Sequence, residues 1–463
     1  MTKTIAIFGG SFSPPGIHHR QMAEELAKHF DEVVVVPHGP RADKIVVNDV
    51  DPIYRATMTD LAFRGLNHVA VDLEDLEQSI FRRTHILQEK YASRGEIWHV
   101  VGTDLITEGR NAKSFIHRVW ENGSELWNTY NFVVITRAGS DWNPRDLPPR
   151  HKLIPLNFDA SSIAIREKLF RREPFSHLIT EDVGRYIERY GLYRGRIPNR
   201  VTKINLESPQ LLVVCDDRNP KALAWSSQFD KYRNDDHPNC ILVIGGDGTM
   251  LHAIQNFWRL RLPFFGINAG HLGFLMNDAT DILHGGFPPN DVVLRQMPLL
   301  YVESLDTNGE WKTALSFNDA WIERARSQAA WIEVVVDGEV RIPKLVGDGV
   351  LVSTAPGSTA YARSMGAMPL PAETPALLLV GSNVMSPPNW KSALLSLDAQ
   401  VEFTGLDTDK RPLNGFAGGF SQGEVTAMRI RLSRIAAVEL AFSRNHDMAE
   451  KIARIQFPKS TES

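Results

Sequence analysis

The sequence predicts a mixed α/β chain of more than one domain: a parallel α/β domain, a second α/β unit, and an antiparallel β-rich region. Three observations carry this. Short β-branched runs alternate with amphipathic helix patterns through residues 1–195. A basic stretch broken by Pro198 and Pro209 then interrupts the rhythm. From about Val292 onward, strand pattern follows strand pattern. The chain has 463 residues. A single core rarely grows past about 250–300 residues, so two or three domains are expected.

The elements follow in order. A first strand is expected over residues 4–8, running into Gly9-Gly10. A helix pattern comes next, with Met22, Leu26 and Phe30 on one face. A β-branched run at 33–36 stops at Pro37, and similar strands are expected at Val69–Val71, 97–101 and 132–136. A helix over 180–190 has Thr180 as its N-cap, Glu181 and Asp182 in its first turn, and Gly191 as its stop. The first domain is therefore 1–195 and the linker 196–208. The second domain is 209–463, with an α/β part over 209–291 and a β-rich part over 292–463. Its expected strands include Leu211–Cys215, 240–244, 263–267, 331–336, 349–353, 401–403 and 436–442.

Composition narrows the class of function. Hydrophobic residues make up 43% and charged residues 23%, as in ordinary globular proteins. A net charge of −4 points to neither nucleic acid nor an anionic membrane. Cys215 and Cys240 both lie in strand-like apolar runs and read as buried thiols, which excludes a disulfide framework and a Cys-based zinc site. No apolar run approaches the roughly 20 residues of a membrane span, and residues 1–12 read as a strand rather than a signal peptide. The expectation is a cytoplasmic enzyme with no membrane or nucleic-acid partner. Walker A, zinc-protease and Gly-x-Ser-x-Gly motifs are missing.

The most informative run is Gly245-Gly246-Asp247-Gly248-Thr249, set between a strand and a helix pattern. Glycines there let backbone N–H groups approach phosphates, and the helix start adds partial positive charge. An acid in such a loop would repel phosphate unless it has a task. General-base catalysis on a hydroxyl attacking phosphorus is such a task. Downstream stand residues 268–275 (NAGHLGFL), Asn318-Asp319, Gly347-Asp348-Gly349, and 353–361 (STAPGSTAY). In this order the motifs resemble those of the NAD kinase family. Lipid kinases share a related Gly-Gly-Asp-Gly-Thr loop but not the later runs.

That resemblance implies Asp247 as the base for the 2′-hydroxyl of the adenosine ribose. Gly245, Gly246, Gly248 and Thr249 become the phosphate cradle. Asn318 and Asp319 match the family's Asn-Glu pair that holds the NAD ribose, with an acid one methylene shorter. Asp348 matches the acid contacting the nicotinamide side, and Thr359, Ala360 and Tyr361 match the adenine-side contacts. The donor implied is ATP with Mg2+ or another divalent cation, and the protein alone offers no metal site. Ala417 lies where the family often carries an acid. His271 reads as a polar loop residue.

A second set of motifs lies near the N-terminus. Residues 8–19 (FGGSFSPPGIHH) join the first strand to the first helix. Trp98–Leu105, Ile135-Thr136-Arg137 and residues 161–166 (SSIAIR) follow. Together they resemble the nucleotidyltransferase family, in particular nicotinamide or nicotinate mononucleotide adenylyltransferases, which implies a Rossmann-like domain. ATP phosphates would lie on Gly9, Gly10, Ser11 and Phe12 and at the helix start. His19 would stabilise their charge. Gly102, Asp104 and Arg137 match strand-end contacts, and Ser161, Ser162 and Arg166 match the signature that binds phosphate. The family's His-x-Gly-His falls on Gly16-Ile17-His18-His19, so the first histidine is glycine and the glycine is His18. His18, Arg20, Arg41 and Lys44 are the basic residues at hand to compensate.

The combined reading is a bifunctional enzyme of NAD(P) synthesis. ATP and nicotinamide mononucleotide (NMN), or its nicotinate counterpart, would give NAD, which is then phosphorylated to NADP. A homo-oligomer is expected from the kinase resemblance. Two other readings stay open here: a kinase with a catalytically inactive nucleotide-binding first domain, and a lipid kinase.

Overall fold

The computed structural model describes residues 2–40, 50–137, 142–156, 161–206, 208–270, 272–289, 291–444 and 446–457. Arg41, Lys44 and His271 lie outside the described residues. The chain divides into two compact units, Met1–Asn199 and Arg200–Ser463.

The first unit is a parallel sheet with helices between its strands. Its strands are β1 (Thr4–Gly10), β2 (Glu32–Pro37), β3 (Val69–Val71), β4 (Glu96–Gly102), β5 (Asn131–Arg137) and β6 (His151–Leu156). They stand in the order β3-β2-β1-β4-β5-β6, with every pairing parallel. Ile5–Ile7 and Val33–Val36 are almost wholly buried, as expected of strands covered on both faces. The chain leaves β1 toward β2 on one side and returns to β4 on the other. The carboxyl ends of β1 and β4 therefore flank the topological switch point, where open α/β sheets bind ligands.

The helix after β1 is Ile17–Leu26, so Phe30 lies beyond it, although it is still buried. The last helix of the unit is Glu181–Tyr190. Thr180 is its N-cap by position, without a side-chain cap bond, and Gly191 closes it at a φ of 62°.

The second unit begins with β7 (Val201–Ile204), inside the stretch expected as a linker. Alone it shows no periodicity; it pairs antiparallel with β12 (Val292–Asp306), and that distant partner makes it a strand. Three parallel strands follow: β8 (Leu211–Cys215), β9 (Cys240–Gly245) and β10 (Pro263–Asn268). The short β11 (Asn277–Asp278) pairs with β10. After β12 come β13 (Trp311–Ser316), β14 (Asp319–Arg324), β15 (Ala330–Val336), β16 (Glu339–Gly347), β17 (Gly349–Thr354) and β18 (Ala376–Ser382). The last are β19 (Ser392–Ser396), β20 (Val401–Gly405), β21 (Leu413–Ala417) and β22 (Phe420–Ser443).

The strand expected at 436–442 is the end of this 24-residue β22. Its last residues pair in parallel with β10, and its earlier part pairs antiparallel with β20 and β21. The α/β and β-rich parts thus share one sheet. β15 alternates buried and half-buried residues along its length, the pattern of a sheet with one covered face. Its inward residues join Ile322, Val352 and Phe403 in the main core of this unit.

Candidate active sites

In the first unit, β1 ends in Gly9-Gly10, where the chain turns tightly. A Cβ on Gly9 would sit 2.7 Å from the His38 ring, and one on Gly10 would sit 2.9 Å from the Phe12 ring. Phe12 is buried at a φ of 43°, in the left-handed region that bulky residues avoid. The turn is braced from outside by Arg55, which sequence reasoning missed. This 3%-exposed guanidinium donates to the carbonyls of Ser11 and His38, each at 2.7 Å.

Gly16 caps the helix Ile17–Leu26, and its N–H donates to His19 Nδ1 at 3.0 Å. That bond makes Nδ1 an acceptor and assigns the neutral ring's proton to Nε2. The His19 ring packs edge-on to Phe12 with centroids 5.0 Å apart. His18 is buried, and its ring lies 3.9 Å from that of His19. A Cβ on Gly16 would meet the His18 ring at 2.5 Å and Ile165 Cδ1 at 2.9 Å. The residues at 16 and 18 have exchanged volumes: the imidazole of one fills the space left by the other.

The helix Ser162–Arg171 closes over the same loop. Ser161 caps it through the Ala164 N–H. Ser162 Oγ donates to the Pro14 carbonyl at 2.9 Å, and Arg166 donates to the Ser13 carbonyl at 2.6 Å. Tyr193, also missed, meets Ser13 Oγ at 3.0 Å. Gly102 ends β4, and the exposed Asp104 begins the next turn. Arg137 ends β5, but its side chain lies outside the described residues. Among the described residues singled out in this unit, the loop after β1, Gly102 and Asp104 lie at the carboxyl ends of β1 and β4, and Ser161, Ser162 and Arg166 lie on the helix that bonds that loop. Arg20 does not join them: its guanidinium donates to the Ala62 and Arg64 carbonyls.

In the second unit, β9 runs into Gly245, and Gly246 caps the helix Asp247–Phe257. A Cβ on Gly245 would lie 2.3 Å from Thr249 Oγ1, so that side chain takes the space beside it. Nothing lies within 4 Å of a Cβ built on Gly246 or Gly248, which leaves their backbone open to an approaching group. Asp247 is half-buried. Its two oxygens accept the N–H groups of Phe274 and Leu275 at 2.9 and 3.0 Å. Burial pushes its carboxyl up, opposed by those two N–H groups and by the Lys451 ammonium.

Phe317 belongs to the apolar cluster that includes Met250, Leu275 and Met276. It thereby brings Asn318 to the side of the Asp247 helix and its facing turn. Asn318 is 9% exposed, and its Oδ1 has no hydrogen-bond partner among the described residues. The run 354–357 wraps this backbone. Thr354 Oγ1 donates to the Phe317 carbonyl at 2.9 Å, and a Cβ on Gly357 would meet the Asn318 carbonyl at 2.3 Å.

Along β14, Asp319, Trp321 and Glu323 share one face, opposite the core residues Ala320 and Ile322. Trp321 stacks on Phe416 at 4.7 Å and meets Tyr361 at 5.0 Å. Neither Trp321 nor Phe416 was singled out from the sequence. At the far end, Asp348 bonds Arg324 Nε and Asn383 Nδ2, each at 2.6 Å. Those two donors, Asn383 foremost, hold the Asp348 carboxyl below its usual range. Arg324 lies five strand steps beyond Asp319, so the backbone positions of Asp319 and of the Arg324–Asp348 pair are roughly 16 Å apart. Thr359 caps back onto the Pro356 carbonyl at 3.1 Å, and Ala360 leads into the helix Tyr361–Ser364. Ala417 is buried and pairs with Ala320 in the sheet.

Asp319 is 4% exposed, and burial pushes its carboxyl up to about 7 from 3.8. The native state therefore keeps a proton that the unfolded chain releases, and stability falls as pH rises through that interval. Asp319→Asn removes this cost, worth at most roughly 4 kcal/mol. The expected result is a gain in melting temperature that is small in acid and grows toward mildly alkaline pH. Thermal melts of both proteins across pH check it.

Among the described residues, no group of three or more His, Cys, Asp or Glu could hold a metal ion. Among them too, no helix is long and apolar enough to cross a membrane.

Comparison with known proteins bears on both units. Residues 197–281 match the family model described as ATP-NAD kinase N-terminal domain. Residues 7–168 match the one described as cytidylyltransferase-like. The NAD kinase of Rickettsia rickettsii is 37% identical over 246 residues, covering 52% of this chain and 95% of that protein. The NAD kinase of Rickettsia felis is 35% identical over 246 residues, again 52% and 95%. The crystal structure of yeast NADH kinase complexed with NADH aligns with a TM-score of 0.43 at 14% identity, over 79% of this chain and 89% of that one. By its similarity to nearly the whole length of such kinases, the chain belongs to the NAD kinase family, with a cytidylyltransferase-like domain fused ahead of the kinase.

Proposed function

We propose that the chain makes NAD in its first unit and phosphorylates it to NADP in its second. The observation that carries the kinase half is Asp247. It is a carboxylate held by two N–H groups at a helix start, beside a glycine backbone open to phosphate. The ribose 2′-oxygen attacks the γ-phosphorus of ATP, its proton passes to Asp247, and ADP leaves. Gly245, Gly246, Gly248 and Thr249 cradle phosphate. Asn318 Oδ1 and Asp319 take ribose hydroxyls, and Tyr361, Thr359 and Ala360 flank a base. Asp348 receives the nicotinamide side. The roughly 16 Å of strand between the backbone positions of these two acids leaves room for a dinucleotide rather than a single nucleoside. Mg2+ or another divalent cation enters as the ATP complex.

In the first unit, a phosphate oxygen of NMN or nicotinate mononucleotide attacks the α-phosphorus of ATP, and pyrophosphate leaves. That nucleophile is already an anion, so positioning and charge stabilisation suffice. Gly9, Gly10, Ser11 and Phe12 present backbone to the phosphates, His19 donates from Nε2, and Arg166 adds positive charge. Gly102 and Asp104 serve the nucleoside side, and Arg137, at the end of β5, is assigned there by the resemblance alone. Ser161 and Ser162 hold the helix that carries Arg166. His18, being buried, serves by packing against His19 rather than by touching ligand.

Incubation of the pure protein with NMN, ATP and Mg2+, following NAD and NADP, tests both halves. NADP from added NAD without any NAD from NMN would remove the first activity. The rival reading, a first unit that binds nucleotide without turnover, draws on Gly16 and the burial of His18. Calorimetric ATP binding in the absence of NAD formation would favour it. A cytoplasmic homo-oligomer belongs to the same proposal, and sedimentation at assay concentration measures the assembly.

The exchange of volumes at 16 and 18 gives a further expected result. Gly16→His alone forces two imidazoles into one space, and NAD formation falls at least about tenfold. Gly16→His combined with His18→Gly recovers most of it. Steady-state rates of the two variants decide this, and equal losses in both would reject the exchange.

A further inference from the structure

The helix Met448–Gln456 was not part of any motif read from the sequence. It is capped by Asp447, which accepts the Glu450 N–H at 2.9 Å. Met448, Lys451, Ile452 and Ile455 share one face at helical spacing, so a lysine stands in an apolar stripe. Lys451 is 4% exposed. Its ammonium donates to the carbonyls of Gly273 at 2.9 Å and Met276 at 2.8 Å. These two carbonyls bracket Phe274 and Leu275, whose N–H groups grip Asp247. The turn is clamped from both sides, with N–H groups on the carboxylate and carbonyls on the ammonium. The same helix accepts a bond at the Ile455 carbonyl from Arg363, two residues beyond Tyr361, at 3.2 Å. It thus ties the turn that grips Asp247 to the segment that carries Tyr361.

A buried ammonium is costly unless paired, and an apolar residue would suit the stripe better if packing were the only task. The charged groups around Lys451 are few. Asp278 on β11 stands 3.6 Å away and is half-exposed. His446 Nδ1 lies 3.4 Å from the ammonium, and burial, with Lys451 and Arg295 beside it, holds that ring neutral in the physiological range. Arg454, Glu450 and Asp447 belong to its own helix and cap, and Asp247 faces it across the turn.

We infer that Lys451 is a positioning residue of the kinase site: its ammonium fixes the 273–276 turn and keeps Asp247 in the anionic form that accepts a proton. This rests on the reading of Asp247 as the base, but its test does not depend on turnover. NMR of carboxyl-labelled aspartates follows the titration of Asp247 in the full chain, its signal being the one missing from Asp247→Asn.

Lys451→Gln keeps a donor for the carbonyls but loses the charge, and it should raise the Asp247 midpoint. Lys451→Arg should bring it back. Asp278→Asn, at an exposed position, should move it the opposite way. An unmoved midpoint in Lys451→Gln overturns the inference. If that variant does not fold, an unmoved midpoint in Asp278→Asn does so. In kinase assays, kcat of Lys451→Gln should fall about tenfold on the acid side, with KM for NAD nearly unchanged. A KM change alone would reduce Lys451 to a structural role and reject the inference. Should Asp247→Asn still make NADP, the base reading fails while the titration still decides the role of Lys451.

Discussion

Asp247→Asn is expected to abolish NADP formation, with a loss of roughly 10³-fold in kcat, the range of a positioned general base. The substitution is nearly isosteric. It keeps one acceptor for the Phe274 and Leu275 N–H groups that the carboxylate now holds at 2.9 and 3.0 Å, so the turn should survive. What disappears is the proton acceptor. A ribose hydroxyl is a poor nucleophile while it keeps its proton, and the base therefore enters the chemistry rather than binding. KM for NAD should change little by comparison. NAD formation from NMN should continue, because the residues proposed for adenylyl transfer all belong to the first unit. Product analysis of one reaction mixture reads both outcomes. Kinase turnover equal to wild type would remove Asp247 as the base.

His19→Ala is expected to give the complementary loss: a drop of roughly 10²–10³-fold in NAD formation from NMN, with NADP from added NAD unchanged. The imidazole is oriented by the Gly16 N–H on Nδ1 at 3.0 Å and by the Phe12 ring edge-on at 5.0 Å. In the proposed role it is a preorganised donor whose reorganisation cost is already met in the fold. Its loss leaves developing phosphate charge unmatched but removes no base, so residual activity should persist. Asn in its place can accept the Gly16 N–H and still donate, but its donor sits short of the Nε2 position, and it should fall between Ala and His. Retention of full NAD formation in His19→Ala would leave positioning to Arg166 and the glycine backbone alone.

Short motifs carried most of what the sequence disclosed. Residues 245–249 (GGDGT) and 353–361 (STAPGSTAY) mark out the proposed site in the sequence because phosphate approach and tight turns accept so few residue types. The parallel strands were legible for a similar reason, since runs such as 241–244 are apolar on both faces. Lys451, Trp321 and Arg55 were not. Each is an ordinary residue in local context, and what makes it notable is a partner far away in sequence: Gly273, Phe416 and Ser11. The stretch at 201–204 has no strand signal of its own because its ladder is supplied by β12.

The sequence by itself determined the two-part plan, the glycine loops at the ends of β1 and β9, and the acid at position 247. Local backbone demands and hydrophobic periodicity write these into neighbouring residues. Tertiary structure alone decided the rest. His18 occupies the space beside Gly16. Burial raises the Asp319 carboxyl to about 7. A helix at residues 448–456 supplies the cation behind the turn that holds Asp247. These properties depend on exclusion of water and on contacts across nearly two hundred residues of chain, which no run of neighbouring letters specifies.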